Sequence, residues 1–318
     1  MPAEWHRQSR VWVTRPHNLN TWPNCLEDTQ EQFDVLVQKL SQRVEVCDTQ
    51  QMGIATDDSW IRDFGPIFVF DSFGMVVALD FGFNNWGEKY TSCQQDVAAG
   101  SKIARTSTGA VSRHDWVLEG GAIEVNGCGT AIAGTSCLLD PRRNGPTTRD
   151  QISHMLAESI DVQHVIWLTD GIMGDDTDGH VDNVARFVNP QTIVAPWAPE
   201  SHPDHGPLKR NWHRLSQARD QDGRHLDIVA LPVPQPMRYT FPPEPEYDIA
   251  RRQLPASYAN FLISNGAVFL PVFGQPSDDE AVRVLDRAML HHTIVPIRSE
   301  HLLVGLGTIH CLTLHQPG

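Results

Sequence analysis

Short runs of β-branched and apolar residues alternate along the chain with longer amphipathic stretches, in an order that repeats. RVWVTRP near residues 10 to 16 reads as a strand, and EDTQEQFDVLVQKLSQR, at 27 to 43, sets Phe33, Leu36, Val37 and Leu40 at helical spacing. VEVCD follows as a short strand. DSWIRDFGPIFVF and MVVALDFGF are then two β-rich runs split by Asp71-Ser72-Phe73-Gly74, a hairpin signal. The cycle returns with helices predicted at about 92 to 106, over TTRDQISHMLAESI, near 204 to 220, and over SDDEAVRVLDRAML. After these come WVLEGGAIEV with GTAIAGTSCLL around Asn126-Gly127, HVIWL, HVDNVARFV with TIVAPWA around Asn189-Pro190, LDIVALPV, and YANFLISN with AVFLPVFG around Gly266. TIVPI and a buried strand over Leu302 to Leu314 end the series.

Five helices, each followed by strand and hairpin and spaced by roughly 55 to 70 residues, indicate an internal structural repeat. The expected fold is α/β: five ββαβ units arranged radially as a propeller, one domain over residues 1 to 318. An open doubly wound sheet needs parallel strands joined by helical crossovers, whereas a hairpin after every helix predicts mixed pairing. Radial closure also brings the tips of distant hairpins to one axis. The Pro-rich run PVPQPMRYTFPPEPEYDIARRQLP, at about 232 to 256, reads as a lid over that axis or as a semi-rigid surface loop.

Composition narrows the partners. Lys+Arg 25 against Asp+Glu 39 gives a net charge of -14 with no basic cluster, which argues against nucleic acid. No stretch approaches the roughly 18 apolar residues of a membrane span, and MPAEWHRQSR lacks the apolar core of a secretion signal, so a cytoplasmic protein without membrane partners is expected. The six cysteines contain no CxxC pair, and free thiols are the default.

The candidate chemistry starts from Cys311, set in an apolar run behind Gly305 and Gly307, which allow close approach of a backbone or a ligand. On a strand His310 and Cys311 point opposite ways, so the partner of the thiol is sought elsewhere. Trp60, Asp63, Glu119, His180 and Asp182 open or line the hairpins of separate repeats, and on a strand His180 and Asp182 share a face. Each alone has a mundane account, as a turn cap, an ion pair or a core histidine. Together they supply a nucleophile, an acid/base and three carboxylates without matching cations. Such carboxylates either protonate or receive a cation. A guanidinium fits, being planar, charged and able to give paired N–H donors, and Trp60 is placed to stack on its face.

SWIRDFGPIFV, WVLEGGAIEV, DTDGHVDNVARF, YANFLISNGAVFLPVFG and GTIHCLTLHQP, in this order over nearly the whole chain, resemble agmatine deiminase and the bacterial peptidylarginine deiminase type, within the guanidine-modifying (pentein) superfamily. The resemblance implies a five-bladed α/β propeller, Cys311 as nucleophile, His180 as acid/base, Asp63 and Asp182 as guanidinium clamps, and Glu119 as partner of His180 or of the guanidinium. It also implies hydrolysis of agmatine to N-carbamoylputrescine and ammonia through an S-thiouronium, no metal or organic cofactor, and a homodimer. Gly305 and Thr308 join Trp60, Asp63 and Asp182 as expected substrate-binding residues. GLGTIHC departs from the family's GGGNIHC at Leu306 and Thr308, which leaves another guanidino compound or a peptide's arginine open as substrate. Two other classes also stay open. Asp178-Gly179-His180-Val181-Asp182 resembles the D-x-H-x-D of manganese ureohydrolases, though without the second D-x-D cluster, and a propeller that only binds a cation is the non-enzymatic alternative.

Overall fold

Helices form where the apolar period is 3.6. In the computed structural model, which describes residues 1–91, 93–241 and 252–318, α1 (Leu26–Leu40) buries Phe33, Leu36 and Leu40 on one face. A capping box between Thr148 and Gln151 starts the helix Arg149–Ile160.

These helices connect strands in a repeated way. One unit runs β3 (Ile67–Phe70), β4 (Val76–Gly82), α2 (Gln94–Ser107) and β5 (Val111–Val117). The next is β6 (Ile123–Val125), β7 (Thr130–Gly134), α3 (Arg149–Ile160) and β8 (His164–Leu168). Then come β9 (Arg186–Asn189), β10 (Thr192–Pro196), α4 (His205–Gln217) and β11 (Asp227–Leu231), followed by β12 (Leu262–Ser264), β13 (Ala267–Val272), α5 (Ser277–Ala288) and β14 (Thr293–Arg298). In each sheet the first two strands are antiparallel and the helix crosses over to a parallel third. The remaining sheet uses both ends of the chain: β15 (Thr313–Pro317) pairs antiparallel with β1 (Gln8–Val13), and α1 carries the chain to a parallel β2 (Glu45–Asp48). Five three-stranded sheets of one connectivity result among the described residues. The first strands face one another, β6 packing on β9 and β15 on β3.

Several expected strands are shorter than their apolar runs. The run after Asp58 opens as a helical turn, Ile61–Phe64, before β3. WVLEGGAIEV is interrupted by a 3-10 turn at Gly120–Ala122, and HVDNVARFV begins as another at Val181–Asn183. Only the last two residues of Leu302 to Leu314 are strand, where β15 begins: Leu302–Gly305 is a 3-10 turn, Leu306 takes a left-handed φ of 73°, and Leu312 and Thr313 donate back to Thr308 and His310. These segments lie at the meeting point of the sheets, where most of their residues are buried. They are therefore apolar without being extended.

Of the expected lid, residues 242–251 lie outside the described residues; at its base Arg238–Tyr239 pairs antiparallel with Arg252–Gln253. No described helix is long and apolar enough to cross a membrane.

Candidate active site

Each first strand is entered through a turn, and those turns carry the polar groups. Asp63 precedes β3, Glu119 precedes β6, His180 and Asp182 precede β9, Asn260 precedes β12, and Cys311 precedes β15. All five sheets thus deliver a side chain to the axis. Gly121 marks the centre: a Cβ there would lie 2.6 Å from His180 Nδ1, 2.9 Å from Asp63 Oδ1 and 3.0 Å from Asp182 Oδ2. Only glycine leaves that space open. Its N–H also donates to Asp63 Oδ1 at 3.1 Å.

Cys311 Sγ lies 3.5 Å from Asp182 Oδ2 and accepts the Asn260 Nδ2 hydrogen at 3.1 Å. The Asn260 amide is oriented by its other partners, since Oδ1 receives Thr308 Oγ1 at 2.8 Å and His310 N at 3.1 Å while Nδ2 also reaches Asn183 Oδ1. His180 is fully buried, with Nε2 2.8 Å from Glu119 Oε2, and both Glu119 oxygens accept from Arg143 Nε. Asp63 Oδ2 accepts from Trp86 Nε1 at 3.0 Å, and Asp182 Oδ2 faces His310 Nδ1 at 2.9 Å. Two buried atoms in this cluster have no hydrogen-bond partner among the described residues: His180 Nδ1 and Asp182 Oδ1. Neither Asp63 nor Asp182 has a described Lys or Arg in ion-pair range; the rings beside them are His180, 3.6 Å from Asp63, and His310, 2.9 Å from Asp182.

The protonation states follow from this packing. Burial, with Asp182 and then Asp63 alongside, pushes the Cys311 thiol well above its ordinary value. Burial works against a charged His180, but Asp63, Cys137 and Glu119 outweigh it and hold the ring well above the usual histidine value. Burial raises Asp63 to about 6, partly offset by His180 and reinforced by Glu119 and Asp182. Asp182 and Glu119 go the other way: His310 lowers the first, His180 and Arg143 the second, against burial in both cases.

The expected site residues divide by what they touch. Cys311, His180, Asp63 and Asp182 stand around one small space, and Glu119 stands behind His180. Glu119 is no uncompensated carboxylate, because the buried Arg143, unremarked in the sequence, neutralises it. Trp60 packs on Trp22 with centroids 5.3 Å apart, and a Cβ at Gly307 would overlap its ring and approach Cys311 Sγ. Gly305 lies against the Trp22 ring and Thr308 bonds Asn260, so what either one touches is scaffold around the thiol. His310 and Cys311 do not diverge as strand neighbours would; both reach Asp182 Oδ2.

Sequence reasoning missed Asn260, Arg143, Trp86 and Cys137. An asparagine inside the apolar YANFLIS run was a usable signal for the first; the others lie in turns with no periodic pattern. Glu119, Cys137 and His180 bring one donor atom each within 4.8 Å of one another, a spacing a metal accepts. Arg143 already binds both Glu119 oxygens, which opposes a second cation there.

The model of the Porphyromonas-type peptidyl-arginine deiminase family matches residues 1–317. An agmatine deiminase of Stutzerimonas stutzeri is 34% identical over 350 residues, covering 100% of this chain and 95% of that protein. Among solved structures, the agmatine deiminase of Enterococcus faecalis superposes with a TM-score of 0.91 at 28% identity, over 100% of this chain and 95% of that one. A Cys-to-Ser variant of the C. jejuni agmatine deiminase with substrate bound gives 0.88 at 29% identity, over 100% and 96%. The five sheets are the pentein fold.

Proposed function

The chain belongs to the Porphyromonas-type peptidyl-arginine deiminase family, and from that premise we propose that it is a cysteine-dependent hydrolase that cleaves a guanidinium C–N bond, converting agmatine to N-carbamoylputrescine and ammonia. One observation carries the reading. Asp63 Oδ1, Asp182 Oδ2 and the unpartnered His180 Nδ1 converge at the open side of Gly121, with the Cys311 thiol 3.5 Å from Asp182 Oδ2. A planar cation with N–H donors on several sides completes those groups.

In this mechanism Asp63 and Asp182 hold the guanidinium so that Cys311 Sγ meets its central carbon. The bound cation offsets the two carboxylates, and the thiol, which ionises only against their field, releases its proton to solvent and becomes a thiolate. Sulfur adds to carbon. Because His180 Nε2 is tied to Glu119, Nδ1 is the atom that gives a proton to the departing nitrogen, which leaves as ammonia. The S-thiouronium stays on Cys311 while His180, now neutral at Nδ1, takes a proton from water. The hydroxide adds to the same carbon, and as the intermediate collapses the new hydroxyl's proton passes to the departing sulfur, which frees the ureido product and the thiol. Asn260 Nδ2 steadies the sulfur throughout. Homodimerisation and a cytoplasmic location belong to the same proposal.

The test is ureido product formation from agmatine, free arginine and an arginine-containing peptide, with and without chelator, in the wild type and Cys311→Ser. Turnover of agmatine, insensitive to chelator and absent in the variant, is expected. Preference for the peptide would move the substrate, and chelator-sensitive turnover surviving in the variant would overturn the chemistry.

A further inference from the structure

Below the pocket lies a second set of buried charges that the reaction above does not use. Glu4, in the segment before β1, accepts from Arg186 Nη2 at 2.7 Å and from the Ile263 N–H at 2.8 Å through Oε1, and from Arg62 Nη2 at 3.3 Å through Oε2. Arg186 is itself fixed by Glu124 at 3.0 Å and by the carbonyls of Ala259 and Phe261. His310 stands between this lattice and the pocket. Its Nε2 is 2.8 Å from Glu4 Oε2, its Nδ1 is 2.9 Å from Asp182 Oδ2, and its carbonyl accepts from Arg62 Nε. All of these side chains are buried.

With a carboxylate oxygen at each ring nitrogen, the ring bridges Glu4 and Asp182 and has no nitrogen left for another partner. Neither Glu4 nor the ring is free to turn. Asp182 therefore has one oxygen fixed from below, and its other oxygen, Oδ1, is the one left without a partner. The two pocket histidines are each backed by a glutamate that arginine holds: Glu119 with Arg143 behind His180, and Glu4 with Arg186 and Arg62 behind His310. His180 keeps its free nitrogen toward the pocket, whereas His310 spends its own on aiming a carboxylate.

We propose that His310, anchored by Glu4, is a positioning residue that fixes Asp182 Oδ2 and so holds the Asp182 carboxylate in place to clamp the guanidinium. This rests on the reading of the pocket as a guanidinium site. The effect is on capture of the cation, so it falls on KM more than on kcat. Removing a buried hydrogen bond to a charged group weakens binding by about 10- to 100-fold.

The experiment compares kcat and KM for agmatine, together with melting temperature, in the wild type, His310→Ala, His310→Asn, Glu4→Gln and Glu124→Gln. Wild-type turnover that Cys311→Ser abolishes establishes the underlying reading first, so its failure is seen separately. His310→Ala is then expected to raise KM by about 10- to 100-fold with a smaller change in kcat. Asn can still donate to Asp182 from nearly the Nδ1 position, and His310→Asn should recover part of the loss. Glu4→Gln should raise KM less. Glu124→Gln, which loosens the same lattice without touching His310 or Asp182, should lower the melting temperature and leave KM near the wild-type value. The proposal is overturned if folded His310→Ala keeps its KM, if Asn does no better than Ala, or if KM follows melting temperature across the set, Glu124→Gln included.

Discussion

A thiol beside two carboxylates stays protonated until something offsets them, and this decides how Cys311 should behave in solution. Its value is pushed well above normal by burial, Asp182 and Asp63, so alkylation of the free enzyme should keep accelerating as pH rises past the ordinary thiol value of about 8.5. A plateau well below that value would contradict the packing described. Asp63 gives the acid limb. Its folded value is raised to about 6, so it is charged above that pH and neutral below it, and a neutral carboxyl is a poor clamp for a cation. The kcat/KM for agmatine should fall as pH drops through about 6, and a profile flat to about pH 5 would show that Asp63 does not need its charge. Asn260→Ala, which removes the N–H on Cys311 Sγ, should cost kcat about 10- to 100-fold; unchanged kcat would make that contact incidental. Cys311, His180, Asp63 and Asp182 were legible because their residue types announce chemistry. Asn260 and Glu4 were not, because a buried amide and an N-terminal carboxylate acquire their roles only from the partners that folding supplies.

At the scale of elements, the turns before the first strands set the geometry, and they were the hardest to read. Helix periodicity is strong enough that α1 to α5 lie within a few residues of their expected spans. The hub turns are different: Gly121 and Ala122, Val181–Asn183 and the residues after Leu306 are buried, so their composition mimics a buried strand. Turn geometry, not strand alternation, brings His180 and Asp182 to one space. The Gly120–Ala122 turn offers a direct test. Gly121 has no positive φ, so alanine is compatible with its backbone, yet the added methyl would overlap His180 Nδ1 and Asp63 Oδ1. Gly121→Ala should keep its melting temperature within a few degrees and lose at least about 100-fold in kcat/KM, the scale expected when reacting groups are displaced by about 1 Å. Activity within a few-fold of wild type would mean that this space is not where substrate sits.

For the whole molecule, repetition along the chain was the legible feature, and closure of the ring was only implied by it. The sequence reads as starting with a strand, helix and strand, but the first strand of that sheet is β15, at the opposite end of the chain, and only pairing in space reveals it. The junction is held in part by Gln316, whose Oε1 accepts the buried Trp12 indole hydrogen at 2.8 Å and whose Nε2 reaches Ser107 O. Gln316→Ala strands that indole at a cost of about 1–3 kcal/mol, which should lower the melting temperature by a few degrees without changing KM; an unchanged melting temperature would mean that the seam is held elsewhere.

The central claim, that five sheets meet so that Cys311 attacks a guanidinium held by Asp63 and Asp182, is tested most directly by acid-quenching the enzyme during turnover of agmatine and mapping its peptides by mass. The account predicts a covalent amidino adduct on the Cys311 peptide, with neither adduct nor turnover in Cys311→Ser. Turnover that persists in Cys311→Ser would contradict it.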